Sequence, residues 1–339
     1  MKLAVTLGTA SGLPSVQLAQ SLEQWGYHSL WTAEDWGSDA VSQLAWVGSH
    51  TSSLILGTSI MQLPARSPAL TAMTAATLSN LSGGRFVLGL GPSGPQVVEG
   101  WHGVAYGKPL TRLREYVSIV RSALARRAPL TADGEYYHLP YDGPGASGLG
   151  KALRLNTKPE HAVPIYTSAM GPAALATGAE IGDGVIATLV DANRLADVEA
   201  ALDRGFAVSG RRREDFTLVA HVSVVRGDDV AACFDRIRPF FARTIGGYGA
   251  RGRNFYLDQV SRSGWASEAA KVQELYLAGR RDEAVAAVPD EMLDAYSLVG
   301  PPERIAERAR RYQGVDILML GTADEYTLQA IAGLAGGGA

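Results

Sequence analysis

An alternation runs the length of this chain and limits its folds more than any other feature. Short β-branched or apolar runs, each too short for a helix, are followed by longer stretches of helical periodicity. The pattern predicts strands over Lys2 to Leu7, Ser29 to Ala33, Leu54 to Ile60, Arg85 to Leu90, Ile165 to Ser168, Val185 to Thr188, Phe216 to Val225 and Val315 to Leu320. It predicts helices over Pro14 to Trp25, Asp39 to Thr51, Pro68 to Leu81, Pro109 to about Arg127, Pro172 to Glu180 and Asn193 to Val208, through most of 228–312, and after the last strand. Gly83-Gly84 supplies a helix stop. Eight strands, each trailed by helix, define an α/β protein of the (β/α)8 or TIM barrel type, in which one domain can exceed about 300 residues with insertions. We therefore expect a single domain over 1–339, with insertions at about 91–108, 128–164 and 245–300. The first insertion reads as a glycine-rich loop, the second as irregular chain with a turn at Asp133-Gly134, and the loop Ile245 to Asn254 breaks the third. The tail from Gly336 to Ala339 is expected to fray.

Composition narrows the class. Hydrophobic residues make up 46% and charged residues 19%, a balance that excludes a disordered chain. With 31 basic against 34 acidic side chains the formal charge is −3, which offers no electrostatic footprint for a nucleic acid. The one cysteine, Cys233, rules out an intrachain disulfide and a cysteine zinc cluster, and no metal is expected. No run approaches the ~18 apolar residues of a membrane span, and Lys2 to Leu7 is too short and Thr-interrupted for the apolar h-region of a signal sequence. The expectation is a cytoplasmic protein without membrane or nucleic-acid partners, acting on a small molecule. Glycine, at 39 residues, has nearly twice its usual share of about 7%, so many loops turn tightly or approach something closely.

In such barrels the chemistry collects just past the C-terminal ends of the strands. After the second strand comes Glu34-Asp35-Trp36. Adjacent carboxylates there point in opposite directions, so at most one faces the mouth as a general acid or base, while the alternative is capping of the next helix. After the fourth, Gly89-Leu90-Gly91-Pro92-Ser93-Gly94 matches the dinucleotide pattern G-x-G-x-x-G. The Rossmann reading is rejected, because the fingerprint needs a helix starting on the glycines and helical pattern resumes only near Pro109. The loop remains able to bind an anion or simply to turn, and it carries Gln96, Glu99, Trp101 and His102, suited to a wall or lid. Ala169-Met170-Gly171-Pro172 leads into a helix whose N-terminus forms a second anion site, and Gly321-Thr322 a third, unranked against it. His221, mid-strand, reads as structural before catalytic. Arg66, Ser67 and the loop Arg251-Gly252-Arg253 read as surface.

The segments Leu30-Trp31-Thr32-Ala33-Glu34-Asp35-Trp36, Leu56-Gly57-Thr58-Ser59-Ile60 and Leu81-Ser82-Gly83-Gly84-Arg85-Phe86, with Leu88-Gly89-Leu90-Gly91, resemble the bacterial luciferase-like family of flavin and deazaflavin oxidoreductases. Val163-Pro164-Ile165-Tyr166, Gly171-Pro172 and Glu180-Ile181-Gly182-Asp183-Gly184 extend the resemblance over nearly the whole chain. Within that family, the loop Ser93-Gly94-Pro95-Gln96-Val97-Val98-Glu99-Gly100-Trp101-His102-Gly103 is similar to the branch that uses coenzyme F420, which includes methylenetetrahydromethanopterin reductase.

The resemblance implies a luciferase-like TIM barrel and a homodimer. It implies a non-proline cis peptide at Ser59-Ile60 backing a deazaflavin ring, with the cofactor's phosphate and side chain along Gly91, Pro92, Ser93, Gly94, Gln96, Val97 and Val98 and along Met170, Gly171 and Pro172. Thr188 and Trp101 would line the substrate side. Family members often carry His at the second position of the acidic pair. This chain has Asp35, so proton transfer falls to Asp35 or Glu34, or Trp36 and His102 shape a site with another donor. The Lys that helps hold a sugar phosphate in F420-type glucose-6-phosphate dehydrogenases falls near Asp191, which argues against that substrate. The implied activity is F420-dependent hydride transfer to or from a small organic metabolite, as a reductase. Two alternatives stand beside it: an FMN-dependent monooxygenase supplied by a partner flavin reductase, and a non-redox barrel enzyme binding phosphate at Gly321-Thr322.

Overall fold

The computed structural model describes residues 1–7, 14–248, 252 and 254–333. Eight parallel strands form its centre: β1 (Lys2–Leu7), β2 (Ser29–Thr32), β3 (Ile55–Thr58), β4 (Phe86–Gly91), β5 (Ile165–Ala169), β6 (Gly184–Thr188), β7 (Thr217–Arg226) and β8 (Ile317–Gly321). Each pairs with the next, and β8 pairs with β1, so the sheet closes. Closure removes both sheet edges and forces side chains to alternate between barrel interior and helix-covered exterior.

The exterior positions, among them Leu3, Val5, Leu30, Leu56, Leu88 and Leu318, merge with the inner faces of the helices into one apolar cluster. The interior is a separate cluster of Ala4, Trp31, Val87, Tyr166, Ile186, Val219, Ile317 and Met319. Trp31 is its plug: fully buried, its ring stacks on Tyr166 with centroids 5.9 Å apart, and its Nε1 donates to Ser29 Oγ at 2.8 Å. The indole lies where a Cβ on Gly57 would stand, which is why the middle of β3 is glycine. The barrel is therefore packed through its middle, and only its mouth is open to chemistry.

The helix starts follow their caps. Ser15, Asp39 and Ser67 each accept a hydrogen bond from the backbone N–H three residues on, starting Val16–Gln24, Ala40–Gly48 and Pro68–Leu81. Ser67, read as plain surface, is thus a cap. Three departures from the sequence pattern matter. A short helix, Pro95–Gly100, begins directly on Gly94, where a loop was expected up to Pro109. The ground for rejecting a dinucleotide fold is therefore corrected: the glycines do open a helix, and it is the closed barrel that excludes a doubly wound sheet. A strand, Ser297–Gly300, lies beside β7 in a stretch that reads as helical. Within 128–164, Ala132–Asp133 and His138–Leu139 pair antiparallel around the expected turn.

Between β7 and β8 the helices Val230–Gly247, Phe255–Val260, Ala266–Leu277 and Asp290–Tyr296 bury their own apolar cluster, which includes Leu189 from the loop after β6. That shared residue fixes the helical excursion to the rim of the barrel. Arg251, Arg253 and the tail 336–339 lie outside the described residues. Among the described residues, no helix is long and apolar enough to cross a membrane.

Candidate active site

The loops after β2 and β3 are stitched together. Ser59 N–H donates to Thr32 O at 2.7 Å, and Glu34 N–H donates to Ile60 O at 3.2 Å. The peptide between Ser59 and Ile60 is cis, as the resemblance implies. Glu34 then commits its whole carboxylate to the same region. Arg66 Nη1 donates to both oxygens at 2.6 and 2.8 Å, Gln62 N–H to one at 3.2 Å, and Ala40 N–H, in the first turn of the next helix, to the other at 3.2 Å. The Glu34 side chain is 6% exposed and that of Arg66 15%, so this is a buried ion pair with both acceptor oxygens used. Glu34 serves as clamp and helix brace together, and Arg66, read as surface, is its partner.

Asp35 takes a different part. Its Oδ1 accepts from Gly37 N–H at 2.7 Å, and its carbonyl accepts from Gln62 Nε2 at 2.7 Å. With the Gln62 amide nitrogen committed to that carbonyl, its oxygen faces His102 Nε2 at 3.2 Å. An amide oxygen only accepts, so the proton of a neutral His102 sits on Nε2 and leaves Nδ1 as the acceptor. Gln62 therefore joins the acidic segment after β2 to the loop after β4 and sets the imidazole tautomer. Gln62 was not singled out by sequence and Arg66 was read as surface, although both stand just past β3, where barrel logic directs attention.

The loop after β4 passes over a flat shelf. A Cβ on Gly91 would crowd Ser168 Oγ and come within 2.8 Å of Ile60 Cγ1, so no side chain rises here. Pro92, Ser93 and Gly94 follow, with Ser93 at φ 63°, and Gln96 and Val97 lie in the short helix. Glu99 braces the loop by accepting from Tyr106 N–H at 3.2 Å. Trp36 and Trp101 are exposed at 52% and 65%.

Strand parity places Ser59, Ser168, Thr188 and His221 on the interior side at the mouth. Ser59 Oγ donates to Met319 Sδ at 3.7 Å, and His221 lies in register between Thr188 and Met319. Burial pushes the His221 imidazole down to about 4, so it is neutral at physiological pH.

The anion sites can now be ranked. The helix Pro172–Ile181 has no side-chain cap and no acidic residue in its first turn, leaving its leading amides to a ligand. The helix Glu325–Ile331 after Gly321-Thr322 is preceded by Asp324 and opens on Glu325, so negative charge already stands at its N-terminus. Beside Gly171 and Pro172 opens a cavity of about 420 Å3 that also takes in Thr188 and three arginines, Arg194, Arg204 and Arg262. Nothing in the sequence pattern marked those arginines, because Arg262 lies far along the chain from Arg194 and Arg204, which stand at the start and in the middle of one helix. Met170 packs against the helical cluster next to this cavity.

Fold and mouth together define a TIM-barrel protein with a flat, glycine-floored polar site. The chain belongs to the luciferase-like monooxygenase family, which it matches over residues 7–317. It is 44% identical over 326 residues, 94% of each chain, to a Mycobacterium tuberculosis protein provisionally named a coenzyme F420-dependent oxidoreductase. It is 30% identical to the 5,10-methylenetetrahydromethanopterin reductase of Archaeoglobus fulgidus, over 84% of this chain and 82% of that one. Among solved structures, the coenzyme F420-dependent tetrahydromethanopterin reductase of Methanopyrus kandleri superposes with a TM-score of 0.75 at 20% identity, covering 98% of this chain and 97% of the other.

Proposed function

We propose that this protein is an F420-dependent oxidoreductase that moves a hydride between the deazaflavin and a small organic metabolite, acting as a reductase. The kinship with the mycobacterial and archaeal relatives supports the cofactor. The observation that carries the reading is the shelf itself. Gly91 leaves open the surface formed by the Ile60 side chain and the Ser168 hydroxyl, Ser59 stands next to Ile60, and a flat ring with a polar edge fits there. Gly91, Pro92, Ser93, Gly94, Gln96 and Val97 on one side and Met170, Gly171 and Pro172 on the other would hold the side chain and phosphate, the latter at an uncapped helix start.

When bound, the deazaflavin supplies a ring carbon that gives or takes a hydride where a flavin has nitrogen. The protein's own work is placement and one proton. His102 is the group we assign to the proton: Gln62 holds its Nε2–H, and in the imidazolium form its Nδ1–H would pass to the substrate, leaving a neutral ring whose Nδ1 takes up the next proton from water. Asp35 orients Gln62 through its carbonyl. Glu34, fully engaged with Arg66, is kept from that role and fixes the shelf instead. Trp36, Trp101 and Thr188 wall the substrate and limit water.

Titration of the purified protein with F420 and with FMN tests this reading. Quenching of deazaflavin fluorescence, followed by oxidation of reduced F420 with an unsaturated or imine-like acceptor, supports it. Binding of FMN with oxygen uptake would move the assignment to a monooxygenase. The non-redox alternative loses its basis, because the Gly321-Thr322 helix start is acidic. We further propose a cytoplasmic homodimer. Trp46 on the helix after β2 and Leu70, Met73 and Leu81 on the helix after β3 are exposed apolar side chains suited to a partner copy. Sedimentation at micromolar concentration decides the oligomeric state.

A further inference from the structure

His221 stands on the interior wall of the mouth without a protein partner. Among the described residues neither ring nitrogen makes a hydrogen bond, and burial is the whole cause of its lowered pKa, with no charge facing it. The side chain is nevertheless only partly covered, so it opens onto the mouth rather than into the packed barrel. Gly321 makes its place: a Cβ there would stand 2.8 Å from His221 Nε2, so the glycine that ends β8 leaves room for the imidazole. In register with His221 are Thr188 on β6 and Met319 on β8, and in-register neighbours on parallel strands present their side chains on one face. In the closed order β7 lies opposite β3, from which Ser59 Oγ reaches Met319 Sδ at 3.7 Å. The fully buried Met319 therefore floors a gap with the shelf of Ile60 and Gly91 on one side and His221 with Thr188 on the other.

We propose that His221 and Thr188 bind the carbonyl oxygen of an uncharged, conjugated substrate lying over the ring, so that this protein reduces the C=C bond of unsaturated ketones or amides. The inference rests on the F420 reading above and deepens it. Gln62 fixes the tautomer of His102, but nothing among the described residues fixes that of His221, so either nitrogen can carry the proton its ligand calls for. A carbonyl oxygen has two lone pairs and accepts from the imidazole N–H and the threonine hydroxyl together. A neutral imidazole polarises a carbonyl without bringing charge, and it offers a buried carboxylate no counter-charge. Polarisation is what a conjugated C=C bond needs before it accepts hydride. Because His221 is held neutral, it lends a hydrogen bond and keeps its proton, so the proton goes to carbon. Hydride forms a C–H bond at the β carbon, the π pair shifts toward the carbonyl, and the α carbon takes the proton from His102 Nδ1. The C=C bond is replaced by two C–H bonds and the carbonyl is regained.

The test starts with F420 alone, read by fluorescence quenching in the natural protein and in His221→Phe. Equal affinity is expected. No quenching in the natural protein overturns the F420 reading and this inference together, whereas a loss confined to the variant puts His221 on the ring and overturns the inference alone. With oxidised F420 bound, cyclohexenone, an open-chain enone and an unsaturated amide are then titrated, and infrared difference spectra read the carbonyl stretch without turnover. At least one should bind with its stretch moved to lower frequency, and cyclohexenecarboxylate should bind more weakly. In His221→Phe the shift should be lost, and kcat with reduced F420 should fall roughly 10²-fold. His221→Gln keeps an N–H donor and should retain part of both. Thr188→Val, which leaves the imidazole in place, should lose part of the shift and reads the same site through its other donor. No bound carbonyl, an unshifted one, tighter binding of the carboxylate, or a shift that survives either His221→Phe or Thr188→Val overturns the inference and leaves the F420 reading standing.

Discussion

Glu34 and Arg66 form a buried ion pair at 2.6 Å that joins the loop after β2 to the loop after β3, and the Glu34 backbone N–H donates to Ile60 O, next to the cis peptide at Ser59-Ile60. Removing one partner of such a pair strands the other charge, whereas removing both avoids that cost. Glu34→Ala should therefore destabilise the protein by about 2–4 kcal/mol and weaken deazaflavin binding. The Glu34→Gln, Arg66→Met double variant should recover much of the stability. Urea unfolding of the single and double variants checks this. A Glu34→Ala protein of unchanged stability would mean that the pair carries no structural load.

The His102–Gln62 contact separates a proton-exchanging residue from the one that positions it. His102→Ala should lower kcat by roughly 10²–10⁴ at little change in cofactor affinity. Gln62→Leu should have a smaller effect on kcat and also shift the pH–rate profile, because both imidazole tautomers become available. Steady-state kinetics over a pH series distinguishes the two. Equal, pH-independent losses would reduce both residues to packing.

Much of this was legible in the sequence, and the parts that were not share a physical cause. The eight strands follow from short β-branched runs, and the helix starts near Pro14, Asp39 and Pro68 from local signals, although the caps at Ser15 and Ser67 show only in the structure. The short helix on Gly94 was missed because six residues with a Pro at the start and Gly at the end carry too little periodicity to register. Ser297–Gly300 was missed because its pairing partner in β7 lies more than seventy residues away in sequence, and a four-residue strand paired at that distance leaves no local mark. At the site, Glu34 and His102 were visible as residue types at strand ends. Their roles depend on Arg66 and Gln62, and only the folded geometry shows which carboxylate is consumed by an ion pair.

Gly91 gives the most direct test of the shelf. A valine there would press on Ile60 and Ser168 at the mouth, and the barrel beneath, plugged by Trp31, would be untouched. Gly91→Val should therefore weaken ring binding by at least about tenfold. Overpacking at this site should cost stability only about 1–3 kcal/mol. Fluorescence titration with the bare deazaflavin riboside isolates the ring from its side chain. Undiminished binding of that probe would place the ring elsewhere.

Two histidines set back from solvent predict how stability responds to acid. Burial lowers His221 to about 4, and burial together with the Lys2 charge lowers His28 to about 4, against an ordinary value of 6.5. Both stay neutral in the folded chain while the unfolded chain takes up protons below 6.5. Their contribution is thus intact above pH 6.5 and is lost progressively as pH falls toward 4. At about 1.4 kcal/mol per unit, His221 alone can remove on the order of 2–3 kcal/mol by the bottom of that window. Glu23 falls outside it: burial opposes its ionisation, but hydrogen bonds from Ser53, Ser52 and Leu54 hold it down to about 2, so its loss comes below 4.5. Urea midpoints between pH 7.5 and 4.5 should therefore fall steeply for the natural protein and less so for His221→Gln. Identical slopes would show that His221 takes up its proton in the folded state as readily as in the unfolded one.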